Sequence, residues 1–183
     1  MLITKALLVE NKACEDQIKL FEKFLDGAES IEATPENVQR AYAFGLNVAW
    51  TFEPLGLNFS GMLERNGYQE WYLNGKYHRA DGPAVTYSDG YQAWWLNGER
   101  HREDGPAVIY SNGYQAWYLN DKRHRTDGPA VINSDGTKRY YLNGKLLTEE
   151  EHRLRTQPAE TQGCNGKIVE IEGVRYQLQE LIE

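Results

Sequence analysis

Residues 90–112 read GYQAWWLNGERHREDGPAVIYSN, and this stretch decides the fold because the chain repeats it. Residues 67–89 agree with it at 16 of 23 positions, and residues 113–135 agree with it at 17. A truncated fourth copy spans residues 136–145, and a decayed half-copy covers residues 60–66. Repetition at a short fixed period is typical of an array in which each unit packs on its neighbours.

Each copy contains two runs that favour β-structure: an aromatic-rich run such as residues 67–73 and a shorter run such as residues 84–88. An Asn or Asp followed by Gly joins the runs, and this pair predicts a type I′ hairpin turn with positive φ at both residues. The pairs are Asn66-Gly67, Asp89-Gly90, Asn112-Gly113 and Asp135-Gly136. The longer return over residues 73–83 has its own Asn-Gly turn and a proline, which interrupts a ladder. We therefore predict a single-sheet antiparallel meander of about eight strands, two per copy.

Alternation along a strand sorts the aromatic side chains into two faces. We expect one ladder of Trp and Leu side chains to form the core, and a second ladder to form its half-buried reverse. The first ladder is Trp71, Trp94, Trp117 and Tyr140, with Leu73, Leu96, Leu119 and Leu142 beside it; the second is Tyr72, Trp95, Tyr118 and Tyr141. The alternative is that one aromatic face stays open as a binding surface, because a single-layer sheet cannot bury both sides by itself.

The spacing W-x-x-N-G-x-x-H, followed by a glycine and a second short strand, resembles the MORN repeat and its bacterial and phage-encoded variants. The resemblance covers about 85 residues of the chain. The chain departs from the motif after the histidine, where Arg79, Arg102 and Arg125 stand in the slot of a glycine. The resemblance implies contact with proteins or lipids and no catalysis.

The segments on either side of the array differ from it. Apolar spacing predicts a helix over Glu15–Leu25 that stops at Gly27, and Thr34 before Pro35 predicts a second helix over residues 35–46. A shorter helix over Lys5–Glu10 precedes them. After the array, Thr148 to Glu151 reads as a capping box for a helix through Leu154. We predict a linker over residues 157–166 and a β-hairpin formed by residues 167–171 and 174–178.

The predicted fold class is therefore α+β, with three parts. A helical N-terminal cap covers residues 1–58, the repeat array covers residues 59–147, and a helix, linker and hairpin over residues 148–183 close the far end. Polar, non-repeating ends stop an array from growing edge to edge. The N-terminal part is also similar to a leader domain on phage and prophage proteins of unassigned role, which implies a phage origin.

Net charge and the absence of targeting signals in the sequence limit the cellular location that we expect for the protein. The net charge is −7, although residues 65–147 hold 11 basic and 9 acidic side chains. The array is thus mildly basic between two acidic ends. No stretch is apolar enough to span a membrane, and the N-terminus lacks the pattern of a secretory signal. The two cysteines, Cys14 and Cys164, have no partner spacing. We expect a cytoplasmic protein, in the bacterial host cytoplasm if it is phage-encoded.

Recurring histidines are the nearest approach to a reactive group. His78, His101 and His124 recur with the repeat, but two strands per copy would separate neighbours by roughly 9–10 Å. Metal ligands must lie about 2 Å from one ion, so the histidines cannot share a metal. We predict no metal site, no cofactor and no catalytic residue, because no Ser–His–Asp order, paired-carboxylate context, phosphate-binding glycine loop or Cys–His constellation appears. The protein is predicted not to be an enzyme.

The working hypothesis is a protein-binding module that binds and inhibits or redirects a host protein, such as a component of antiviral defence. Tyr and Arg are enriched at binding hot spots. The predicted contact residues are Tyr72, Trp95, Tyr118, Arg79, Arg102 and Arg125. The alternatives are a nucleic-acid-binding protein that uses the Arg and aromatic ladder, and an acidic mimic of nucleic acid. Homodimerisation through an open sheet edge or an aromatic face is a further alternative, and lipid binding is disfavoured because no dense Lys/Arg cluster occurs.

Overall fold

The computed structural model describes residues 1–48, 55–56, 58–156, 168–171 and 174–177. It has an α+β fold with a large antiparallel sheet and few helices, which confirms the predicted class. No helix in the described ranges is long and apolar enough to cross a membrane. The predicted linker over residues 157–166 lies outside the described residues.

Three helices and a small two-stranded sheet form the N-terminal part. The elements are β1 (Leu2–Thr4), α1 (Lys5–Glu10), α2 (Glu15–Leu25), β2 (Ser30–Glu32) and α3 (Pro35–Phe44). The helix spans match the sequence prediction, except that α3 ends before Leu46, at Gly45 with φ 116°. The Thr34 hydroxyl accepts a hydrogen bond from the Asn37 N–H, which is the predicted cap.

The array supplies the main sheet, ten strands within the described residues. Its strands are β3 (Gly61–Arg65), β4 (Tyr68–Leu73), β5 (Lys76–Tyr77), β6 (Val85–Thr86), β7 (Gln92–Ala93), β10 (Val108–Ile109), β11 (Gln115–Ala116), β14 (Val131–Ile132), β15 (Lys138–Leu142) and β16 (Lys145–Leu147). Two further hairpins pair β8 (Trp95–Leu96) with β9 (Glu99–Arg100) and β12 (Tyr118–Leu119) with β13 (Lys122–Arg123). Neighbours in the main sheet follow chain order and all pair antiparallel.

The prediction of two strands per copy is wrong. In the middle copies the aromatic run breaks at Trp94 and at Trp117, and the return forms a strand of its own. The backbone explains the break, because the Trp94 N–H donates to the Ala107 carbonyl while the Trp94 carbonyl accepts from the His101 N–H. The tryptophan thus connects a strand of the main sheet to a short side hairpin, and each middle copy has four short strands.

Of the four Asx-Gly pairs predicted to have positive φ at both residues, Asn66-Gly67 confirms the prediction, with φ values of 53° and 78°, and the other three differ from it. At Asp89-Gly90 only the glycine has a positive φ, of 91°, and its N–H donates to the Tyr87 carbonyl at 3.0 Å. The Tyr87 N–H in turn donates to the Tyr91 carbonyl, which makes a three-residue loop. The type I′ geometry occurs at the other end of the copy, where Asn97 and Gly98 have φ values of 53° and 87°.

The expected core face is the wrong one. Tyr72, Tyr118 and Tyr141 are buried, with 5%, 6% and 8% of their surface exposed, whereas 40% of the surface of Leu73 is exposed. Trp71, Trp94 and Trp117 are only half-buried. The reason is the size of the neighbours on the tyrosine face, where alanine and valine alternate across the strands and let the large rings close over them.

Two core clusters result. The first contains helical residues such as Phe21 and Val38 together with Leu63 and Tyr72 of the first strands. The second follows the array from Val85 to Tyr141. Tyr77 packs against both clusters and so connects them.

The C-terminal part contains α4 (Glu149–Thr156) and a hairpin of β17 (Ile168–Ile171) and β18 (Val174–Gln177). The predicted capping box is present: the Glu151 N–H donates to the Thr148 hydroxyl, and the Glu151 carboxylate accepts from the Thr148 N–H. His152 of α4 is buried, and its Nε2 lies 2.7 Å from the Arg125 carbonyl oxygen. This contact holds α4 against the third copy.

Candidate binding groove

The face of the sheet that carries the buried tyrosines has a floor of small side chains. Val85 and Val108 both pair with Ala93, and Val108 and Val131 both pair with Ala116. All five side chains are exposed by at most 6%. Because paired residues project to the same side of an antiparallel sheet, they form one row across the strands. Larger side chains stand on either side of this row.

The first wall is a row of five tyrosines: Tyr68, and the pairs that flank Asp89-Gly90 and Asn112-Gly113. Their ring centroids are separated by 4.8 Å (Tyr68–Tyr87), 4.9 Å (Tyr87–Tyr91), 4.8 Å (Tyr91–Tyr110) and 5.4 Å (Tyr110–Tyr114). Such separations allow favourable ring contact. Tyr68 and Tyr110 are exposed at 40% and 44%. The wall is therefore continuous over five rings and open to solvent.

The tyrosine wall ends at the third copy. Asn133 and Thr137 take the places of Tyr110 and Tyr114, and the Asn133 amide donates to the Thr137 hydroxyl at 2.6 Å. A hydrogen-bonded polar pair thus replaces a pair of rings. The side of the sheet nearest the helices differs as well, since Glu70 stands where Ala93 and Ala116 stand in later copies.

Glu70 has a buried carboxylate that accepts hydrogen bonds from two tyrosine hydroxyl groups. Its oxygens accept hydrogen bonds from the hydroxyls of Tyr72 at 2.8 Å and Tyr77 at 3.3 Å. Burial raises the pKa of both phenols above their ordinary range, and the nearby Glu70 charge acts in the same direction. Burial, with Glu70 as the next cause, also raises the pKa of Tyr42 to about 12. The sheet floor in the first copy therefore carries an acidic group that is already hydrogen-bonded.

The second wall consists of aromatic and arginine side chains from the side hairpins. Trp95 pairs across its hairpin with Arg100, and Tyr118 pairs with Arg123. The Tyr118 ring lies between the two guanidinium groups, with Cζ of Arg100 4.2 Å and Cζ of Arg123 6.0 Å from its centroid. A guanidinium over an aromatic face is attracted to the ring, so the ring and the cation hold each other in position.

An open cavity of about 500 Å³ lies between the walls. We call it the tyrosine groove. It is lined by Tyr91, Trp95, Arg100, Val108, Tyr110, Asn112, Tyr114, Tyr118, Arg123, Asn133 and Ser134. Burial raises the pKa of Tyr91 to about 12 and raises that of Tyr114, so these phenols stay protonated at neutral pH. The groove offers rings, hydroxyl groups and two cations.

The opposite face of the sheet carries a clamp that recurs in each full copy. Arg102 Cζ lies 3.9 Å from the centroid of Trp94, its Nε donates to Asp104 at 2.8 Å, and its Nη1 donates to the Pro106 carbonyl. The first and third copies repeat the contacts with Arg79 over Trp71 and Arg125 over Trp117. The arginine beside Asp81, Asp104 and Asp127 lowers the pKa of each carboxyl. The motif His-Arg-x-Asp-Gly-Pro thus has a structural role, because its arginine and aspartate hold the loop against the tryptophan of the same copy.

The structure separates the residues predicted to contact a partner. Tyr72 and Tyr118 are buried, and of the two only Tyr118 lines the tyrosine groove. Trp95 is half-buried and lines the tyrosine groove. Arg79, Arg102 and Arg125 belong to the clamps on the other face, because adjacent residues such as Trp71 and Tyr72 project to opposite sides of a strand. The six residues do not form one surface.

The recurring histidines connect neighbouring copies. His78 Nδ1 accepts a hydrogen bond from the Asn97 N–H at 3.1 Å, and the pairs His101–Asn120 and His124–Asn143 repeat the contact. Each histidine therefore holds the Asn of the next copy in the positive-φ conformation that its turn requires. Among the residues that the structure describes, no group of three His, Cys, Asp or Glu side chains could hold a metal ion.

Sequence reasoning missed the tyrosine wall. The two predicted aromatic ladders do not include Tyr87, Tyr91, Tyr110 or Tyr114. The signal was present in the motif Y-S-[DN]-G-Y, which puts a tyrosine on each side of a short turn. A three-residue loop brings such flanking side chains together on one face.

A second cavity, of about 290 Å³, lies among the N-terminal helices and is lined mainly by apolar side chains such as Leu8, Phe21 and Val38. Polar side chains such as Gln17, Glu32 and Asn37 also line it, although its surface is mainly apolar. Comparison of the chain with protein-family models, with curated proteins and with solved structures found no match.

Proposed function

We propose that the protein is a non-catalytic binding module and that the tyrosine groove holds a segment of a partner protein. The observation that carries the proposal is the continuous wall of five tyrosine rings beside two arginines. Tyr, Trp and Arg are enriched at protein interfaces, because large rigid rings bury area at a low cost in side-chain entropy.

Exposure supports this assignment. Tyr110 is exposed at 44% although the floor residue Val108, two positions earlier, is exposed at 6%. An exposed ring above a packed floor gains contact area when a partner covers it, and the floor itself needs no rearrangement. A preformed surface of this kind lowers the entropy cost of association.

The ends of the molecule have a separate proposed role. Helices α1 to α3 share a core cluster with β3 and β4, which supports a capping function for the N-terminal part. We propose that α4 and the C-terminal hairpin close the other end. Capping keeps the edge strands from pairing with other chains and leaves the groove face for the partner.

The resemblance to phage-encoded MORN-like proteins extends the proposal. On that basis the partner is a host protein, such as a component of antiviral defence, and the protein acts in the host cytoplasm by inhibiting or redirecting it. The second candidate is a nucleic-acid-binding protein, since stacked rings near arginines also suit single strands. Against it, the chain has a net charge of −7, and binding to phosphates usually needs a strongly basic surface.

Affinity capture tests the proposal when it compares two matched variants. The groove variant Tyr91→Ala/Tyr110→Ala removes two rings of the wall, and the control variant Thr86→Ala/Gln92→Ala changes two residues on the opposite face. We expect one protein to be captured by the wild type and by the control variant after nuclease digestion, and to be lost with the groove variant. Equal capture by the groove variant, or loss of capture on nuclease digestion, would contradict protein binding through the groove.

A further inference from the structure

Arg123 is a cation that no carboxylate neutralises within the described part of the chain. Its hydrogen bonds go to two phenol oxygens, from Nε to Tyr118 at 3.2 Å and from Nη1 to Tyr141 at 3.3 Å. These phenols raise the pKa of Arg123, against the opposing effect of burial. A guanidinium has five N–H donors, so donors remain for a ligand in the groove that Arg123 lines.

The other arginine of the groove differs in one respect. Arg100 Nε donates to the Asp121 carboxylate at 2.6 Å, so its charge is already offset. Asp121 stands where the second copy has Gly98, and both have a positive φ, of 59° and 87°. The third copy has therefore introduced an acid that neutralises the arginine of the second copy and leaves Arg123 as the uncompensated cation of the groove.

Donors outnumber charged acceptors around Arg123. The phenols of Tyr91 and Tyr114 keep their protons at neutral pH, because burial raises the pKa of both. None of the groove-lining residues carries a negative charge. A buried or half-buried donor without an acceptor is unfavourable, and a carboxylate supplies two acceptor oxygens in the geometry that a guanidinium fits.

We propose that Arg123 and the tyrosines around it form a carboxylate-binding site for an acidic side chain of the partner segment. The inference rests on the proposed protein-binding function and names the chemistry of the segment: an Asp or Glu at Arg123, with aromatic or aliphatic neighbours that pack on Tyr91, Tyr110 and Tyr114. A single uncompensated cation matches one carboxylate better than a polyphosphate, which requires several cations in a row.

A display library of random peptides, selected on the full-length protein, tests the site. We expect enrichment of Asp or Glu next to aromatic or aliphatic residues. A synthetic peptide of the enriched sequence should lose about tenfold in affinity or more with Arg123→Gln, measured by fluorescence anisotropy. Lys122→Gln is the control, because it removes one positive charge from the neighbouring residue, which is exposed and projects to the other face.

Two variants with repeat-compatible residues sharpen the test. Arg123→Tyr introduces the residue that the first copy has at Tyr77, so it keeps the fold if Arg123→Gln does not. Asp121→Gly restores the residue of Gly98 and frees Arg100, so it should strengthen peptide binding by roughly two- to fivefold. If Asp121→Gly leaves the affinity for the peptide unchanged or lowers it, the result would contradict a site whose affinity depends on the positive charge of the groove arginines.

The outcomes separate this inference from the proposed function. Enriched peptides that depend on Tyr110 and bind Arg123→Gln as well as the wild type would overturn the carboxylate site and leave groove binding intact. If the selection yields no peptide whose binding depends on Tyr91 or Tyr110, both the carboxylate site and the proposed groove binding are overturned. Binding of a single-stranded DNA oligonucleotide that displaces the peptide and depends on Arg123 would overturn the inference in favour of phosphate.

Discussion

At the scale of single residues, the clamp motif explains why each copy has a glycine after the aspartate. Gly105 lies beneath the guanidinium of Arg102, and a Cβ built on it would be 3.0 Å from Arg102 Cζ. Gly82 and Gly128 are 3.2 Å from the equivalent arginines. None of these three glycines has a positive φ, so the requirement is for space and not for backbone freedom.

Gly105→Ala should therefore lower the free energy of unfolding by about 1–3 kcal/mol, because the added methyl group displaces Arg102 from Trp94. Arg102→Ala alone should cost about 2 kcal/mol through the lost cation–π contact and hydrogen bonds. Urea unfolding of both single variants and of the double variant measures the coupling. We expect the double variant to be less destabilised than the sum of the two; strict additivity would contradict the clamp.

Tyrosine ionisation gives a second prediction at this scale. Burial raises the pKa of Tyr91 and of Tyr42 to about 12, above the value of about 10 for an unfolded chain. A folded pKa above the unfolded one means that stability is fully present below about pH 10 and is lost as the pH rises toward the folded value. The urea midpoint of unfolding should fall as the pH rises from about 10 to about 12, and the midpoint of Tyr91→Phe should fall less steeply than that of the wild type. A flat profile would refute burial of these phenols.

At the scale of elements, the type I′ turns fix the side hairpins that carry Trp95, Arg100 and Arg123. Gly98 has a φ of 87°, and a Cβ on it would meet the Lys76 side chain at 3.2 Å. The turn also docks on the previous copy, since the Gly98 N–H donates to the Tyr77 carbonyl at 2.9 Å. Each hairpin is thus positioned by the copy before it.

Gly98→Ala should destabilise the protein by about 1–2 kcal/mol, because alanine tolerates the left-handed region poorly. Glu99→Ala is the control, since Glu99 is exposed in the adjacent position and should change stability by less than about 0.5 kcal/mol. Thermal unfolding of the two variants is the measurement. Equal midpoints would show that the turn does not constrain the hairpin.

Local chemistry made several elements predictable and left the face of the sheet undecided. The spans of α1 and α2, the Thr34 cap and the capping box of α4 depend on neighbouring residues, so sequence spacing was sufficient. The core face depends on what covers each ring. Arg102 covers Trp94 from a later part of the copy, and Ala93 lets Tyr91 and Trp95 close over the floor. The alternation of alanine with large rings was the available sign.

At the scale of the whole molecule, two clusters meet at the first copy. Leu63 is fully buried in the cluster that contains the helices, and Arg65 Nη1 donates to the Tyr42 carbonyl of α3 at 3.0 Å. Gln39 of α3 also exchanges hydrogen bonds with the backbone of Glu64. The helices are thus fixed to the array through β3.

Leu63→Ala should lower stability by about 2–5 kcal/mol, because it leaves a cavity where helices and strands meet. In a repeat array the effect is expected to be local. Hydrogen exchange should accelerate in residues 1–48 and 61–77 more than in residues 108–132. Uniform acceleration over the whole chain would contradict the two-cluster description.

The central claim is that the partner contacts the groove face of the sheet, and adjacent residues in one chain segment can test it. Tyr110 lines the tyrosine groove, whereas Ile109 projects to the opposite face. A photo-reactive phenylalanine analogue is placed at position 110 in one variant and at position 109 in another, and crosslinking is carried out in living cells. The account predicts a crosslinked protein from position 110 and none from position 109; crosslinking from position 109 alone would contradict it.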